Sequence, residues 1–145
     1  MIEIICFGKI KEEYLKNLIS DYEKRINKYY KLNIKELPDS DNIVDEETKL
    51  LKNLDSKSYK ILLDITGNKI GSVEFANLID KTFISSPKIT FIIGGSNGVT
   101  DKVRSVVDYK LSFSDLTFPH GLFRGILLEQ IYRACKINNH ETYHK

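Results

Sequence analysis

The residues with the strongest chemical character in this chain lie at its C-terminal end, which reads HETYHK over residues 140–145. On a helix, an H-E-x-x-H pattern places two histidines on one face to bind zinc, with the glutamate as general base of a metalloprotease. Such a site needs a stable helix and a third protein ligand. Two asparagines directly before the pattern predict the end of a helix, and only Lys145 follows His144. We therefore expect no metal site here.

The same six residues have two other interpretations. They are compatible with a polar chain end that has no role of its own, because terminal residues are often poorly ordered. They are also compatible with an arm that binds RNA, in which Tyr143 stacks on a base, Lys145 pairs with a phosphate and His144 transfers a proton. The residue types alone leave both interpretations open.

A second candidate site lies in the stretch LTFPHG, residues 116–121. Pro119 predicts that a helix begins close to His120, and Arg124 lies one turn further along that helix. A histidine at a helix N-terminus is biased toward its neutral form by the helix dipole. His120 is therefore a candidate for proton transfer, although a histidine that caps or packs the helix would give the same pattern.

A third candidate is the glycine-rich loop Gly94-Gly95-Ser96-Asn97-Gly98, which precedes a predicted helix. Glycines allow a backbone to approach a ligand closely, and a helix N-terminus favours negative charge. The loop has neither the G-x-G-x-x-G pattern nor the lysine of a P-loop, so a Rossmann or P-loop nucleotide site is not supported. A plain tight turn remains the alternative.

All of these residues must be positioned by the elements that the apolar periodicity predicts. The predicted strands cover residues 2–8, 32–37, 59–65, 88–95 and 109–114. The predicted helices cover residues 12–30, 43–54, a segment that starts with Ser72 as its cap, 100–108 with Thr100 as its cap, and 121–136. A turn at Thr66-Gly67-Asn68 is predicted to end the third strand.

This alternation of strands and helices predicts an α/β fold with a parallel sheet, since two of the strands are apolar on both faces. With 145 residues and no repeat or linker, we expect one domain over residues 1–145. In open sheets of this class, ligands bind beyond the carboxyl ends of the strands. Three loops with polar or glycine-rich character follow strands there: residues 63–69, 93–100 and 111–121.

The composition is that of a soluble globular protein, with 41% hydrophobic and 29% charged residues. No apolar run approaches the length of a membrane span and the N-terminus has no signal-peptide pattern, so we expect a cytoplasmic protein without a membrane partner. Cys6 and Cys135 are expected to be buried, reduced thiols. The net charge is only +2, and its surplus lies in residues 117–145, which gives no nucleic-acid signal by itself.

Several stretches, taken together, resemble one known family. FIIGGSNG (91–98), LSFSDLTFPHGLFRGILLEQIYRACKI (111–137) and the terminal YHK closely resemble the RlmH family of the SPOUT methyltransferases. The likeness extends over the whole chain and includes CFGK near its start and LLDITG in the third strand. Two departures from the family's usual residues, at Gly121 and over Asn139–Thr142, leave the terminal Tyr-His-Lys unchanged.

The resemblance implies a homodimer of SPOUT domains, each with a parallel sheet and a C-terminal segment that forms a trefoil knot. Knots are otherwise nearly absent from proteins, so the periodicity of the sequence cannot predict one. The resemblance also implies that the loops of the knot bind S-adenosyl-L-methionine in a bent shape. The cofactor-binding positions that it implies are Leu63, Gly94, Phe113, Ser114, Asp115, Leu116, Thr117 and Phe118.

The reaction that the resemblance implies is methylation of N3 of a pseudouridine in 23S ribosomal RNA, within the assembled ribosome. Arg133 and Lys145 are the candidates for contact with that RNA. Two alternatives stay open: a SPOUT methyltransferase that acts on another RNA such as tRNA, and a ribosome-binding factor without catalytic activity.

Five residues are candidates for handling the substrate. His144, supported by Tyr143 and Lys145, is the first candidate for substrate contact and for removal of the N3 proton. His120 and Arg124 are the second. In a dimer, we expect the tail of one subunit to complete the site of the other.

Overall fold

Strands and helices alternate along the whole chain in the computed structural model, which describes residues 1–145. The strands are β1 (Ile2–Phe7), β2 (Leu32–Leu37), β3 (Tyr59–Lys69), β4 (Ile89–Ile93) and β5 (Tyr109–Ser112). The helices are α1 (Glu13–Ile26), α2 (Ile43–Asn53), α3 (Ser72–Ser85), α4 (Asp101–Val106) and α5 (His120–Asn138).

The five strands form one sheet in the order β2-β1-β4-β3-β5, and every neighbouring pair is parallel. β1 and β4 are buried along their whole length. Their apolar residues alternate between two clusters, one on each face of the sheet: Ile4 and Phe91 pack on one side, Ile5 and Ile92 on the other. The prediction of a parallel α/β fold is therefore confirmed.

The two faces of the sheet carry different helices. α1, α3 and α5 cover the face with the larger cluster of buried residues, and α5 contacts both of its neighbours. α2 and α4 cover the other face through Leu50 and Val103. α5 begins at His120, as Pro119 predicts, and runs to Asn138, two residues further than expected.

The predicted turn at Thr66-Gly67-Asn68 is wrong. β3 continues to Lys69, and its pairing with β5 shifts register, so that Leu63 and Asn68 both lie opposite Leu111. Residues 64–67 bulge out of the ladder between these two pairings. Gly67 makes the bulge possible because a side chain there would clash: a Cβ atom would lie 2.6 Å from the carbonyl carbon of Lys110.

The end of α1 and the start of α3 also differ from the prediction, and α4 ends at Val106 instead of residue 108. α1 ends at Ile26 instead of residue 30, because the Asn27 side chain donates to the carbonyl of Glu23 and accepts from the amide of Leu32. Gly71, instead of Ser72, is the cap residue of α3, and its amide donates to the Glu74 carboxylate. The Ser72 hydroxyl instead donates to Gln130 on α5.

The two cysteines are free and buried, as expected. Burial raises the pKa of Cys6 to about 11 and that of Cys135 to about 12, so both are unreactive thiols at neutral pH. No helix of the chain is both long and apolar enough to cross a membrane.

Gly67→Ala should destabilise the fold, because the added methyl group meets the backbone of β5 and not a flexible side chain. We expect the free energy of unfolding to fall by about 1–3 kcal/mol, the usual cost of overpacking. Urea denaturation followed by circular dichroism measures it. Asn68→Ala is the matched control, because this neighbouring side chain is exposed, and it should change the value by less than about 0.5 kcal/mol. Equal effects of both substitutions would contradict the packing argument.

Candidate functional site

A cavity of about 330 Å³ opens at the carboxyl edge of the sheet, where three loops meet. This volume lies within the usual range for small-molecule sites. The loops follow the paired part of β3, the end of β4 and the end of β5. Of the eight residues that the sequence predicts to bind a cofactor, seven line this cavity: Leu63, Gly94, Phe113, Ser114, Leu116, Thr117 and Phe118. Asp115 does not line it, because its exposed carboxylate pairs with Lys69.

The glycine-rich loop forms one wall of the cavity. Gly94 leaves no room for a side chain, since a Cβ atom would lie 2.8 Å from Cγ1 of Val99. Gly98 has a φ of +77°, which favours glycine, and it pairs with Gly95 across a short bridge. Thr100 then caps α4 by accepting from the amide of Val103, as predicted. The backbone of this loop is thus held in place and directly exposed to the cavity.

Aromatic rings form the opposite wall. Phe118 stacks on Phe123 of α5 with ring centroids 5.8 Å apart, and Phe113 meets the same ring edge-on at 5.3 Å. Leu116 and Phe118 are nevertheless exposed, at 73% and 37%. The loop that follows β5 therefore offers an apolar surface both to the cavity and to the outside of the chain.

Asp64 and Arg104 supply the charged groups of the cavity, and the sequence analysis missed both. Asp64 accepts from Arg104 Nε at 2.9 Å and from the amide and hydroxyl of Thr66. Burial alone would raise the pKa of Asp64, but these hydrogen bonds outweigh burial and lower the pKa below its ordinary value. The signal was present in LLDITG, where a carboxylate directly follows the paired segment of β3.

His120 and Arg124 face a second, more polar cavity of about 540 Å³ on the other side of the glycine loop, where Ser96 is part of the lining. His120 Nε2 is buried without a hydrogen-bond partner. Burial first, and then the charge of Arg124, lower the pKa of His120 below its ordinary value. The imidazole is therefore neutral at pH 7, as its place at the start of α5 predicts.

Arg124 itself is 2% exposed and is held by protein groups. Nη1 donates to Glu36 of β2 at 2.6 Å, and Nη2 donates to the carbonyls of Phe7 and Gly8 at 3.4 and 3.2 Å. These contacts attach the first turn of α5 to the ends of β1 and β2.

The C-terminal tail packs against α1 and α5. Tyr143 meets Tyr132 edge-on with ring centroids 4.9 Å apart. The Tyr143 hydroxyl lies 3.4 Å from the Tyr22 hydroxyl and donates to the Glu129 carboxylate, also at 3.4 Å. His144 Nδ1 lies 3.1 Å from Arg133 Nη1. These contacts attach Tyr143 and His144 to α1 and α5.

The H-E-x-x-H residues lie beyond the end of α5, where the backbone is not helical. His140 has a φ of +55°, and Glu141 accepts from Lys136 at 3.0 Å and from the Tyr29 hydroxyl at 2.7 Å. The chain contains no group of three or more His, Cys, Asp or Glu side chains that could hold a metal ion.

The tail and the first cavity lie at different ends of α5. Phe123 lines the cavity, whereas Arg133, which contacts His144, is ten residues further along the helix, a distance of about 15 Å. One chain therefore does not bring His144 together with the cavity that Leu63 and Gly94 line.

The family described as "Predicted SPOUT methyltransferase" matches residues 1–144. The chain is 46% identical to ribosomal RNA large subunit methyltransferase H of Clostridium botulinum (strain 657 / Type Ba4) and 45% identical to that of Clostridium tetani (strain Massachusetts / E88). Each alignment covers 99% of this chain and 99% of the relative.

Two solved structures are also similar. The TrmH/SpoU tRNA modifying enzyme of A. aeolicus has a TM-score of 0.49 at 12% identity, over 95% of this chain and 77% of that chain. The SpoU methyltransferase AviRb from Streptomyces viridochromogenes, solved in complex with AdoMet, has a TM-score of 0.47 at 11% identity, over 90% and 56%.

The parallel sheet, the cavity at its carboxyl edge and the family match define a SPOUT methyltransferase. Within this class, the chain belongs to the ribosomal RNA large subunit methyltransferase H family, as its identity with those proteins over nearly the full length shows. The resemblance seen in the sequence is thereby confirmed.

Asp64→Asn should destabilise the protein at neutral pH by roughly 1–3 kcal/mol, the usual range for hydrogen bonds to a charged group. The pKa of Asp64 is lowered in the folded chain, so its stabilisation is complete above the unfolded-state pKa of about 3.9 and is lost as the pH falls through the folded-state value. The difference in free energy of unfolding between wild type and variant should therefore stay constant down to about pH 5 and shrink below about pH 4.

Urea denaturation at a series of pH values measures this difference. Asp101→Asn is the control, because Asp101 binds the same Arg104 at 3.0 Å but is fully exposed. It should cost at most about 1 kcal/mol, as exposed ion pairs do. A difference for Asp64→Asn that grows toward acid pH would contradict the assignment.

Proposed function

We propose that this protein uses S-adenosyl-L-methionine to methylate N3 of a pseudouridine in 23S ribosomal RNA of the assembled ribosome. The observation that carries the proposal is the cavity at the carboxyl edge of the sheet, in a chain that belongs to the methyltransferase H family. The names of the relatives support ribosomal RNA as the substrate.

The residues of the cavity fit this cofactor. The backbone next to Gly94 and the chain around Leu63 can hold its polar groups, while Phe113 and Phe118 provide apolar contact. When bound, the cofactor would supply a methyl group on a positively charged sulfur, and the sulfur would keep the electrons of the carbon–sulfur bond when N3 of the base takes the methyl. The Asp64–Arg104 pair joins the β3 bulge to α4 at the edge of the cavity.

A homodimer is part of the proposal, because one chain keeps its tail away from its own cavity. Three exposed apolar residues line the cavity and are suited to contact a second copy: Ile65, Leu116 and Phe118. In that arrangement, the tail of one subunit reaches the cavity of the other. The trefoil knot remains a prediction from the resemblance, and the cytoplasmic location and the RNA contacts of Arg133 and Lys145 remain predictions from the sequence.

The test of the function is transfer of a labelled methyl group to isolated ribosomes, followed by mapping of the modified nucleotide. We expect one labelled pseudouridine in 23S ribosomal RNA. Labelling of tRNA instead would favour a SPOUT methyltransferase of another RNA. Binding to ribosomes without transfer would favour the ribosome-binding factor.

Gly94→Val should block cofactor binding, because its side chain would meet Val99 and the carbonyl of Gly98. We expect the Kd for S-adenosyl-L-methionine to rise by more than about tenfold, or about 1.4 kcal/mol. Isothermal titration calorimetry measures it, with Ser105→Ala on the exposed side of α4 as the control. Unchanged binding in a folded Gly94→Val protein would contradict this assignment of the cavity.

Deletion of residues 143–145 should abolish methyl transfer and spare cofactor binding. A heterodimer of this truncated chain with a Gly94→Val chain, purified with two affinity tags, should then regain about half of the wild-type activity. It contains one intact cavity and one intact tail on different subunits, which form one of the two composite sites of a symmetric dimer. An inactive heterodimer would show that the tail does not act across the subunits.

A further inference from the structure

The guanidinium of Arg133 lies between Glu129 and His144. Its Nε and Nη2 donate to Glu129 Oε1 at 2.9 and 2.5 Å, while Nη1 lies 3.1 Å from His144 Nδ1. The centre of the guanidinium is also 4.9 Å from the centroid of the Tyr143 ring. Arg133 is thus fixed by a carboxylate on its own helix and presents its remaining edge to the imidazole.

In the hydrogen bond between Arg133 and His144, only Arg133 can be the donor. A guanidinium has five N–H donors and no acceptor, and it does not lose its proton in proteins. His144 Nδ1 must therefore accept the hydrogen bond with its lone pair. The only ring nitrogen that is left to carry a proton is Nε2, which makes His144 a neutral imidazole with its N–H on the side away from Arg133.

We infer that Arg133 holds His144 in this form so that its Nε2–H donates a hydrogen bond to a ring carbonyl oxygen beside N3 of the substrate. In this role, His144 does not remove the N3 proton. The inference rests on the proposed methyl transfer. As N3 loses its proton, negative charge spreads onto the two carbonyl oxygens that flank it, and a positioned donor stabilises that charge. The only basic lone pair of His144 is meanwhile occupied by Arg133.

Tyr143 does not supply the base either. Burial, followed by its contact with Tyr22 and the negative charge of Glu129, raises the pKa of Tyr143, so the phenol keeps its proton. The charged and titratable groups that face His144 and Tyr143 are Arg133, Glu129 and Tyr132 from α5 and Tyr22 from α1. The N3 proton accordingly passes to water or hydroxide, and the N3 electron pair forms the new bond to the methyl carbon.

Arg133 is a positioning residue in this scheme, which is a different role from the RNA contact that the sequence predicts for it. Arg133 affects the reaction by deciding which ring nitrogen of His144 carries the proton. That property can be measured without any substrate. The chain has three histidines, so the ring nitrogens of His144 can be assigned by comparison with a single variant that lacks it.

The first test is nitrogen-15 NMR of the histidine side chains in the full-length protein. We expect His144 to carry its proton on Nε2 in the wild type. In Arg133→Met, which removes the donor but keeps an apolar chain of similar length, a mixture of the two neutral forms should appear. A wild-type His144 that carries its proton on Nδ1 would overturn the inference.

The second test compares His144→Gln with His144→Ala in methyl transfer to ribosomes. The glutamine amide can donate a hydrogen bond but cannot act as a base. We expect His144→Gln to keep kcat within about tenfold of wild type and His144→Ala to lose about 100-fold or more, as when a donor to a developing anion is removed. The wild-type rate should also keep rising with pH above the range in which histidine titrates.

The results of these tests distinguish failure of this inference from failure of the proposed function. An active wild type, with His144→Gln as inactive as His144→Ala and a rate that levels off where histidine titrates, would make His144 the base and overturn the inference alone. A wild type without activity on ribosomes would overturn the proposed function and the inference with it.

Discussion

Arg124 joins three parts of the fold that are distant in the sequence. Burying a charged side chain costs several kcal/mol unless it is paired and hydrogen-bonded. Here the guanidinium binds Glu36 on β2 and the carbonyls of Phe7 and Gly8 at the end of β1. Because α5 starts only four residues earlier, these bonds fix where the loop after β5 must end. The position of α5 in turn decides where the tail can pack.

The architecture was predictable because it follows from local patterns. The near-continuous apolar run of β3 and the apolar β4 require helices on both faces of the sheet, and Pro119 sets the start of α5. Thr100 was recognisable as a cap from its place before an amphipathic segment. The cavity was predictable in part. The rule that ligands bind beyond the carboxyl ends of parallel strands indicated its three loops, and the likeness to a family indicated seven of the residues that line it.

The remaining features depend on contacts between distant residues. Gly67 resembles a turn residue, and only the backbone of Lys110 explains why β3 bulges there and then continues. Asp64 pairs with Arg104 on α4, which lies forty residues away in the sequence. Asp115 belongs to a loop that faces the cavity, yet its own side chain reaches Lys69 on the outside. No periodicity in the sequence contains this information.

The glycine loop after β4 is a partition between two cavities. Gly94, Gly95 and Gly98 face the first, and Ser96 faces the second, in which His120 and Arg124 lie. A ligand that displaced this loop from one side would change the free energy of binding on the other side. Thermodynamic linkage requires the effect to be equal in both directions. The two cavities therefore share this loop as a wall, so that any displacement of the loop would couple binding in one cavity to binding in the other.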